Sequence, residues 1–247
     1  MWERLIAPDA LHRIPLALRL LLLEHATDGR TVLVDGGVGD KEDDAFRDRF
    51  AVDGPTLPAA LREIGVDPGT VTDVVMTHLH FDHAGGLTHR DASGTLVPTL
   101  PHARHFLQVS NRDNCLAPNP RERASYLREN LDPLTDIALE LVDGDAEIFP
   151  GVRVERSDGH TVGMQTVRVE GGGRVVRYLA DLAPTHHHMR LPFTMGYDMC
   201  TQTVMDEKAR LIAAAREEEA ILIFEHDPVV VAARLVEERG RVIAQPL

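Results

Sequence analysis

One segment constrains the fold more than any other: residues 78–83, with the sequence HLHFDH, directly after the apolar run at 74–76. Three histidines and a carboxylate within six residues are incompatible with a hydrophobic core element. Alternation at an extended strand end puts His78 and His80 on one side, and the following turn swings Asp82 and His83 to a second side. This spacing predicts two adjacent metal pockets, and imidazole with carboxylate favours zinc, iron or manganese. Such a site would activate water.

The composition excludes several classes of protein. The 247 residues suffice for one large domain or two small ones. The 39 Asp and Glu against 26 Lys and Arg give a formal charge of -13, which argues against a nucleic-acid partner because phosphate binding needs a basic face. The apolar run at 16–23 contains Arg19 and is too short to span a bilayer. With two cysteines and no CxxC pair, we expect a cytoplasmic protein without a membrane anchor.

The hydrophobic pattern predicts strands and helices in repeated order. Residues 16–24 and 31–34 are expected to form a β-hairpin around Asp28-Gly29. Further strands are expected at 71–77, 105–109, 152–155, 166–169, 175–179 and 221–224, and helices at 57–64, 121–130, 204–218 and 229–238. This order predicts two sheets sandwiched between helices, in a single domain of residues 1–247. Residues 110–136 carry three prolines and lack a strand pattern, and we interpret them as a cap over the site.

Two metals need more ligands than one segment supplies, and three candidates follow predicted strands. His160 stands in a glycine-flanked turn, Asp181 ends the strand at 175–179, and His226 follows the strand at 221–224. Loops at strand ends often carry chemistry. Taken singly, each histidine would more often be structural and Asp181 a helix cap. Together with the upstream segment, the three favour metal binding.

This ordered set resembles the metallo-β-lactamase fold superfamily in its two-metal hydrolase form. The resemblance implies a four-layer αββα sandwich, in which two mixed β-sheets are flanked by helices, and two divalent metal ions, zinc in the first place with iron or manganese as alternatives. It also implies that Asp35 orients a ligand histidine. By position, the first metal would be held by His78, His80 and His160, the second by Asp82, His83 and His226, and Asp181 would bridge them.

Within the superfamily the chain resembles the lactonases and the related organophosphate hydrolases. The named β-lactamases lack the bridging aspartate, and the glutathione-binding region of the glyoxalase-II-like thioesterases is not evident. Homoserine lactonases place a tyrosine shortly after the bridging aspartate, whereas here the next tyrosine is Tyr197. Tyr197, Tyr126 or one of the histidines at 186–188, with His188 as a candidate, could take its role as a hydrogen-bond donor to substrate.

The resulting hypothesis is a metallo-hydrolase acting on a carboxylic ester, with a lactone as the favoured small-molecule substrate. A hydroxide bridging the metals would attack the carbonyl carbon, and Asp82 or a nearby histidine would protonate the leaving alkoxide, with Asp181 as the shared ligand. The alternatives are phosphotriester, phosphodiester or thioester hydrolysis on the same fold, a di-iron redox protein, and a silent module that binds a small molecule. The sequence leaves a homodimer open.

Overall fold

The structure is a computed structural model that describes residues 2–247 and, at residues 135 and 136, the backbone only. The chain divides into two compact units. One is Leu20–Asp143, and in the other the residues up to Arg19 join Gly144–Leu247. Each unit has its own large β-sheet. No helix in the described part of the chain has both the length and the hydropathy that a membrane span requires.

The unit Leu20–Asp143 contains a five-stranded sheet and a separate two-stranded one. Its strands are β1 (Leu21–Glu24), β2 (Thr31–Val34), β3 (Asp73–Val75), β4 (Thr88–Arg90), β5 (Leu96–Pro98), β6 (Arg104–Gln108) and β7 (Ala138–Val142). The large sheet has the order β1-β2-β3-β6-β7, with β1 antiparallel to β2 and the other pairs parallel. Parallel strands are usually covered on both faces, and Val32, Leu33 and Val34 are almost fully buried.

The α-helices of this unit are α1 (Asp44–Phe50), α2 (Leu57–Glu63), α3 (Phe81–Ala84), α4 (Val109–Leu116) and α5 (Arg128–Leu131). Helix α2 confirms the helix predicted at 57–64. It buries Leu57 and Leu61 in a hydrophobic core that also contains Leu33 and Val74. The four-residue spacing of the two leucines puts them on the same side of the helix, which is why this amphipathic pattern could be read from the sequence.

The other unit holds a seven-stranded sheet and one long helix. Its elements are β8 (Ala146–Phe149), β9 (Val152–Ser157), β10 (Met164–Gly171), β11 (Arg174–Tyr178), α6 (Thr201–Glu217), β12 (Ile221–Ile223), β13 (Ala232–Glu238) and β14 (Arg241–Pro246). The sheet order is β14-β13-β12-β11-β10-β9-β8. Only β11 and β12 pair in parallel, and α6 forms the connection that such a pair needs. Helix α6 confirms the helix predicted at 204–218.

Three of the predicted elements differ from the structure. The hairpin around Asp28-Gly29 is confirmed, but its first strand begins at Leu21 rather than at residue 16. The preceding residues belong to the other unit, where the backbone N–H groups of Ala17 and Arg19 donate to the carbonyls of His226 and Glu225. A run of leucines can pack in either unit, so the hydrophobic pattern alone could not show at which residue the strand begins.

The two other corrections concern helices. Residues 121–130 form a short 3-10 turn and α5 instead of one helix, because Tyr126 and Leu127 have extended backbones and the Tyr126 side chain is buried. Residues 229–238 contain β13 rather than a helix. Arg239 and Gly240, both at positive φ, turn the chain into β14, and β13 pairs with β12 on its other side.

Strand direction decides where the candidate residues lie within each unit. β2 and β3 run parallel, so Asp35 and the segment 78–83 follow the strands at the same edge of the first sheet. In the second sheet β9, β11 and β12 point the same way, because β10 is antiparallel to both β9 and β11. His160, Asp181 and His226 therefore leave the sheet at one common edge.

We expect Gly86→Ala to destabilise the protein. A Cβ at residue 86 would lie 2.0 Å from the backbone oxygen of Gly36, in the loop after β2. Relieving this overlap requires a backbone shift, which should cost about 1–3 kcal/mol of unfolding free energy in urea denaturation. Gly171→Ala is the matched control, because a Cβ there meets no atom within 4 Å. Equal unfolding free energies for the two variants would contradict this account.

Candidate metal centre

The three histidines of the segment 78–83 come together in the unit Leu20–Asp143. The ring centroids of His78 and His80 are 4.5 Å apart, and those of His78 and His83 are 4.0 Å apart. His80 is the residue before α3, and the single turn of α3 carries Asp82 and His83. His78 and His83 are fully buried, whereas the side chain of Asp82 keeps 27% of its surface exposed. The three histidines are thus buried despite their polarity, which requires polar partners around them.

Asp35 is the main polar partner. Its carboxylate is fully buried and accepts hydrogen bonds from the backbone N–H of Thr77 at 2.7 Å and from the Thr77 hydroxyl at 2.7 Å. The second oxygen also lies 3.0 Å from Nδ1 of His83. Asp35 adopts a left-handed backbone with φ of 61° as the chain leaves β2. This is the contact expected of an aspartate that orients a histidine and leaves Nε2 to a metal.

The other unit brings His160, Asp181 and His226 together around one carboxylate. Oδ2 of Asp181 lies 3.1 Å from Nε2 of His160, and Oδ1 lies 3.0 Å from Nε2 of His226. All three side chains are buried. Each Asp181 oxygen thus faces one imidazole nitrogen. A carboxylate presented in this way suits a ligand shared by two cations, and the set of imidazole and carboxylate donors suits divalent metals.

The remaining nitrogen of each of these two imidazoles is held by the protein. Nδ1 of His226 donates to the carbonyl of Ala17 at 2.8 Å, and Nδ1 of His160 lies 2.9 Å from Oδ1 of Asp198. The other oxygen of Asp198 accepts from the backbone N–H of Met195 at 2.8 Å. Sequence reasoning missed Asp198 because it lies 38 positions from His160 and forms no motif with it. The only signal was a lone carboxylate in the otherwise uncharged run at 191–199.

Helix α6 holds the loops that carry these residues. The Glu207 carboxylate accepts from the Ser157 hydroxyl at 2.6 Å and from the backbone N–H groups of Asp158 and Gly159 at 2.8 and 3.2 Å. This fixes the turn of His160. A Cβ at Gly159 would lie 2.5 Å from the backbone nitrogen of Val204, so only glycine allows α6 to approach this closely.

Lys208, the next residue of α6, holds a second loop. Its ammonium is fully buried and donates to the backbone carbonyls of His188, Arg190 and Phe193. Burial lowers the pKa of Lys208 to about 8. Sequence reasoning missed both Glu207 and Lys208, since charged residues on a helix are usually solvent-facing.

The two other candidates, Tyr197 and His188, have different surroundings. Tyr197 is about half exposed, and its ring lies edge-on to the ring of His160 at 5.9 Å. His188 is buried, with Nδ1 2.8 Å from the Thr185 hydroxyl and its ring stacked on Trp2 at 4.9 Å. Burial, followed by the charge of Lys208, lowers the pKa of His188 to about 3. His188 is therefore neutral at pH 7 and can offer an N–H group but no imidazolium proton.

His186 and Tyr126 also have defined partners. Nδ1 of His186 lies 2.5 Å from Oδ2 of Asp227, in the same unit. Tyr126 packs against His80 in the unit Leu20–Asp143, with ring centroids 4.9 Å apart. Of the candidates for the missing tyrosine, Tyr126 and Tyr197 are thus each adjacent to a predicted ligand histidine of their own unit.

We expect Glu207→Ala to lower the free energy of unfolding by about 2–4 kcal/mol, because three donors in the turn of His160 lose their shared acceptor. Urea denaturation measures this. Glu217→Ala serves as the control, since Glu217 is an exposed residue of the same helix, and it should change the value by no more than about 0.5 kcal/mol. If Glu207→Ala lowered the free energy of unfolding as little as the control does, the turn that carries His160 would not depend on this carboxylate.

Several known proteins are similar to this chain in sequence and in structure. The family profile described as the Metallo-beta-lactamase superfamily matches residues 21–226. The N-acyl homoserine lactonase AiiA of Bacillus thuringiensis subsp. kurstaki is 24% identical over 237 residues, which cover 90% of this chain and 85% of that enzyme. A "probable metallo-hydrolase" of Mycobacterium tuberculosis is 25% identical and aligns with 87% of this chain and 76% of its own.

Two solved structures show the same fold. The crystal structure of a "probable metal-dependent hydrolase" from Staphylococcus aureus matches with a TM-score of 0.88 and 26% identity, over 100% of this chain and 87% of that one. The dizinc quorum-quenching lactonase AidC matches with a TM-score of 0.74 and 20% identity, over 96% and 81% of the two chains. The fold class predicted from the sequence is confirmed. The chain belongs to the metallo-beta-lactamase superfamily and is a metallo-hydrolase of that fold.

Proposed function

We propose that this chain hydrolyses carboxylic esters, with lactones as its preferred substrates, at a centre of two divalent cations that is filled by zinc. The assignment of ligands follows the sequence prediction. One cation would be held by His78, His80 and His160, the other by Asp82, His83 and His226, with Asp181 shared between them. Asp35 and Asp198 would hold two of the imidazoles in place.

The arrangement of Asp181 is the observation that carries this proposal. Its two oxygens face the Nε2 atoms of His160 and His226 at 3.1 and 3.0 Å, respectively. Two cations about 3.5–4 Å apart repel each other, and a shared carboxylate offsets part of that repulsion. A single-metal site would need only one of these two contacts. The two-sided arrangement therefore supports a dinuclear centre.

The residues of the chain have separable tasks in ester hydrolysis. When bound, the cations would supply a water-derived nucleophile at neutral pH and polarise the carbonyl oxygen of the substrate. Asp35 and Asp198 keep a proton on Nδ1 of His83 and His160, which leaves Nε2 as the ligand atom. Asp82, whose carboxylate is partly exposed, would pass a proton to the leaving alkoxide. Tyr197 and the neutral His188 are the candidates for contacting the substrate oxygens.

The preference for lactones is supported by the curated relatives. Several N-acyl homoserine lactonases of Bacillus, 24–26% identical to this chain, align with 90% of it. Identity at this level supports the reaction class more than the choice of one ester, so the preference has to be measured.

A panel of substrates tests the proposed reaction. The zinc-loaded protein should hydrolyse N-acyl homoserine lactones and simple γ- and δ-lactones with a kcat/KM at least about 10-fold above that for aryl esters, thioesters and phosphotriesters. Chelation should abolish the activity and zinc should restore it. Higher kcat/KM on phosphotriesters would overturn the lactone preference. No turnover on any member of the panel would overturn the hydrolase itself and favour a binding module, whereas bound iron with visible absorbance would favour a redox protein.

Substitution of single ligands tests the metal assignment. His80→Ala and His226→Ala should each lower the metal content from two ions towards one per chain and reduce kcat/KM by more than about 100-fold, because each removes a direct ligand from a different metal. Elemental analysis and lactone kinetics measure the two effects. His102→Ala, at an exposed position, is the control and should keep both metals. Two metals per chain in either ligand variant would contradict the assignment.

A further inference from the structure

We propose that Glu122, in the cap segment 110–136, is a positioning residue for His80. Through it the cap would take part in binding the metal, beyond covering the site. This inference rests on the proposed metal centre and extends it by a residue that the sequence patterns did not single out.

The geometry around His80 supports this role. Oε2 of Glu122 lies 3.9 Å from Nε2 of His80, and the Glu122 side chain is only 4% exposed. The ring of Tyr126 packs edge-on against the ring of His80, with the two centroids 4.9 Å apart. The carboxylate and the imidazole are thus both buried and held in fixed directions. Glu122 thus presents a buried carboxylate oxygen, which can only accept a hydrogen bond, towards Nε2 of the imidazole.

The cap segment is built to hold the Glu122 carboxylate. Its Oε1 accepts from the side-chain amides of Asn114 and Asn119 at 2.9 and 2.8 Å. The oxygen of Asn119 in turn accepts from the backbone N–H of Arg121 and of Glu122 itself. Two amides therefore fix one carboxylate oxygen while the other faces His80. A glutamate that served only to cover the site would not need this preorganisation.

A side chain of the cap segment is also hydrogen-bonded to the backbone of the HLHFDH segment. The side-chain oxygen of Asn111, in α4, accepts from the backbone N–H of Leu79 at 3.0 Å. Leu79 separates His78 from His80, so the position of the cap and the position of the two imidazoles depend on each other. The cap segment therefore has a direct hydrogen bond to the backbone between the two imidazoles.

Comparison with the other histidines indicates what Glu122 does. Nδ1 of His83 is paired with Asp35, Nδ1 of His160 with Asp198, and Nδ1 of His226 with a backbone carbonyl. In His80 it is Nε2 that faces a carboxylate. A proton held on Nε2 leaves the lone pair of Nδ1 for the metal and makes that nitrogen a stronger donor. Glu122 would thus set which nitrogen of His80 binds and how strongly.

Glu122→Gln separates this role from a purely structural one. The amide oxygen of glutamine can still accept from Asn114 and Asn119, but the amide NH₂ would then face the Nε2–H of His80, where two donors oppose each other. We expect the variant to bind zinc about 10- to 100-fold more weakly, measured by competition with a chromophoric chelator, with an unchanged urea midpoint for the zinc-free protein. Glu129→Gln, an exposed carboxylate in the same segment, should leave both values unchanged.

The outcomes separate this inference from the proposed function. If the wild-type protein binds two zinc ions and Glu122→Gln binds them as tightly, Glu122 has no positioning role. If the variant loses zinc affinity and stability together, the residue is structural and the inference is also wrong. Wild-type protein without zinc affinity would overturn both proposals. Zinc binding that depends on Glu122, in a protein that hydrolyses none of the esters, would support this inference and overturn the proposed reaction.

Discussion

The carboxylate of Asp35 has no exposed surface and receives its hydrogen bonds from residues that directly precede or belong to the HLHFDH segment. A buried charge is costly unless it is fully compensated, so the end of β2, Thr77 and His83 must adopt positions that provide these donors. The parallel pairing of β2 with β3 brings the two strand ends within reach. In this unit the placement of Thr77 and His83 thus depends on an anion that does not itself need to touch a metal.

The candidate site residues that could be predicted either belong to the closely spaced histidines and aspartate at 78–83 or directly follow a predicted strand. The segment 78–83 was visible because six consecutive residues contain four side chains of types that can bind a metal. His160, Asp181 and His226 each follow a strand that contains valine or isoleucine. Strands that end on one edge of a sheet bring such residues together, and the parallel pairing of β11 with β12 produces this result for Asp181 and His226. Local pattern and sheet direction were sufficient there.

The parts that could not be predicted depend on contacts between residues far apart in the sequence. Asp198 and Glu207 are ordinary acidic residues until the fold brings them to the turn of His160. The helix predicted at 229–238 is wrong for a related reason, since this mostly apolar run, with Arg234 as its first charged residue, fits a helix as well as a strand. The neighbouring strand β12 and the turn at Arg239-Gly240 decide in favour of β13.

The adjacent positions of Glu207 and Lys208 on α6 also affect the energetics of ligand binding. The two residues fix a turn between β9 and β10 and a loop after β11 to one rigid helix. Ordering loops of this kind costs about 1–2 kcal/mol of conformational entropy per residue. In this unit hydrogen bonds to Glu207 and Lys208 of α6 offset that cost in the folded protein. A ligand that contacts these loops would therefore find them already ordered, and its binding free energy would not be reduced by the cost of ordering them.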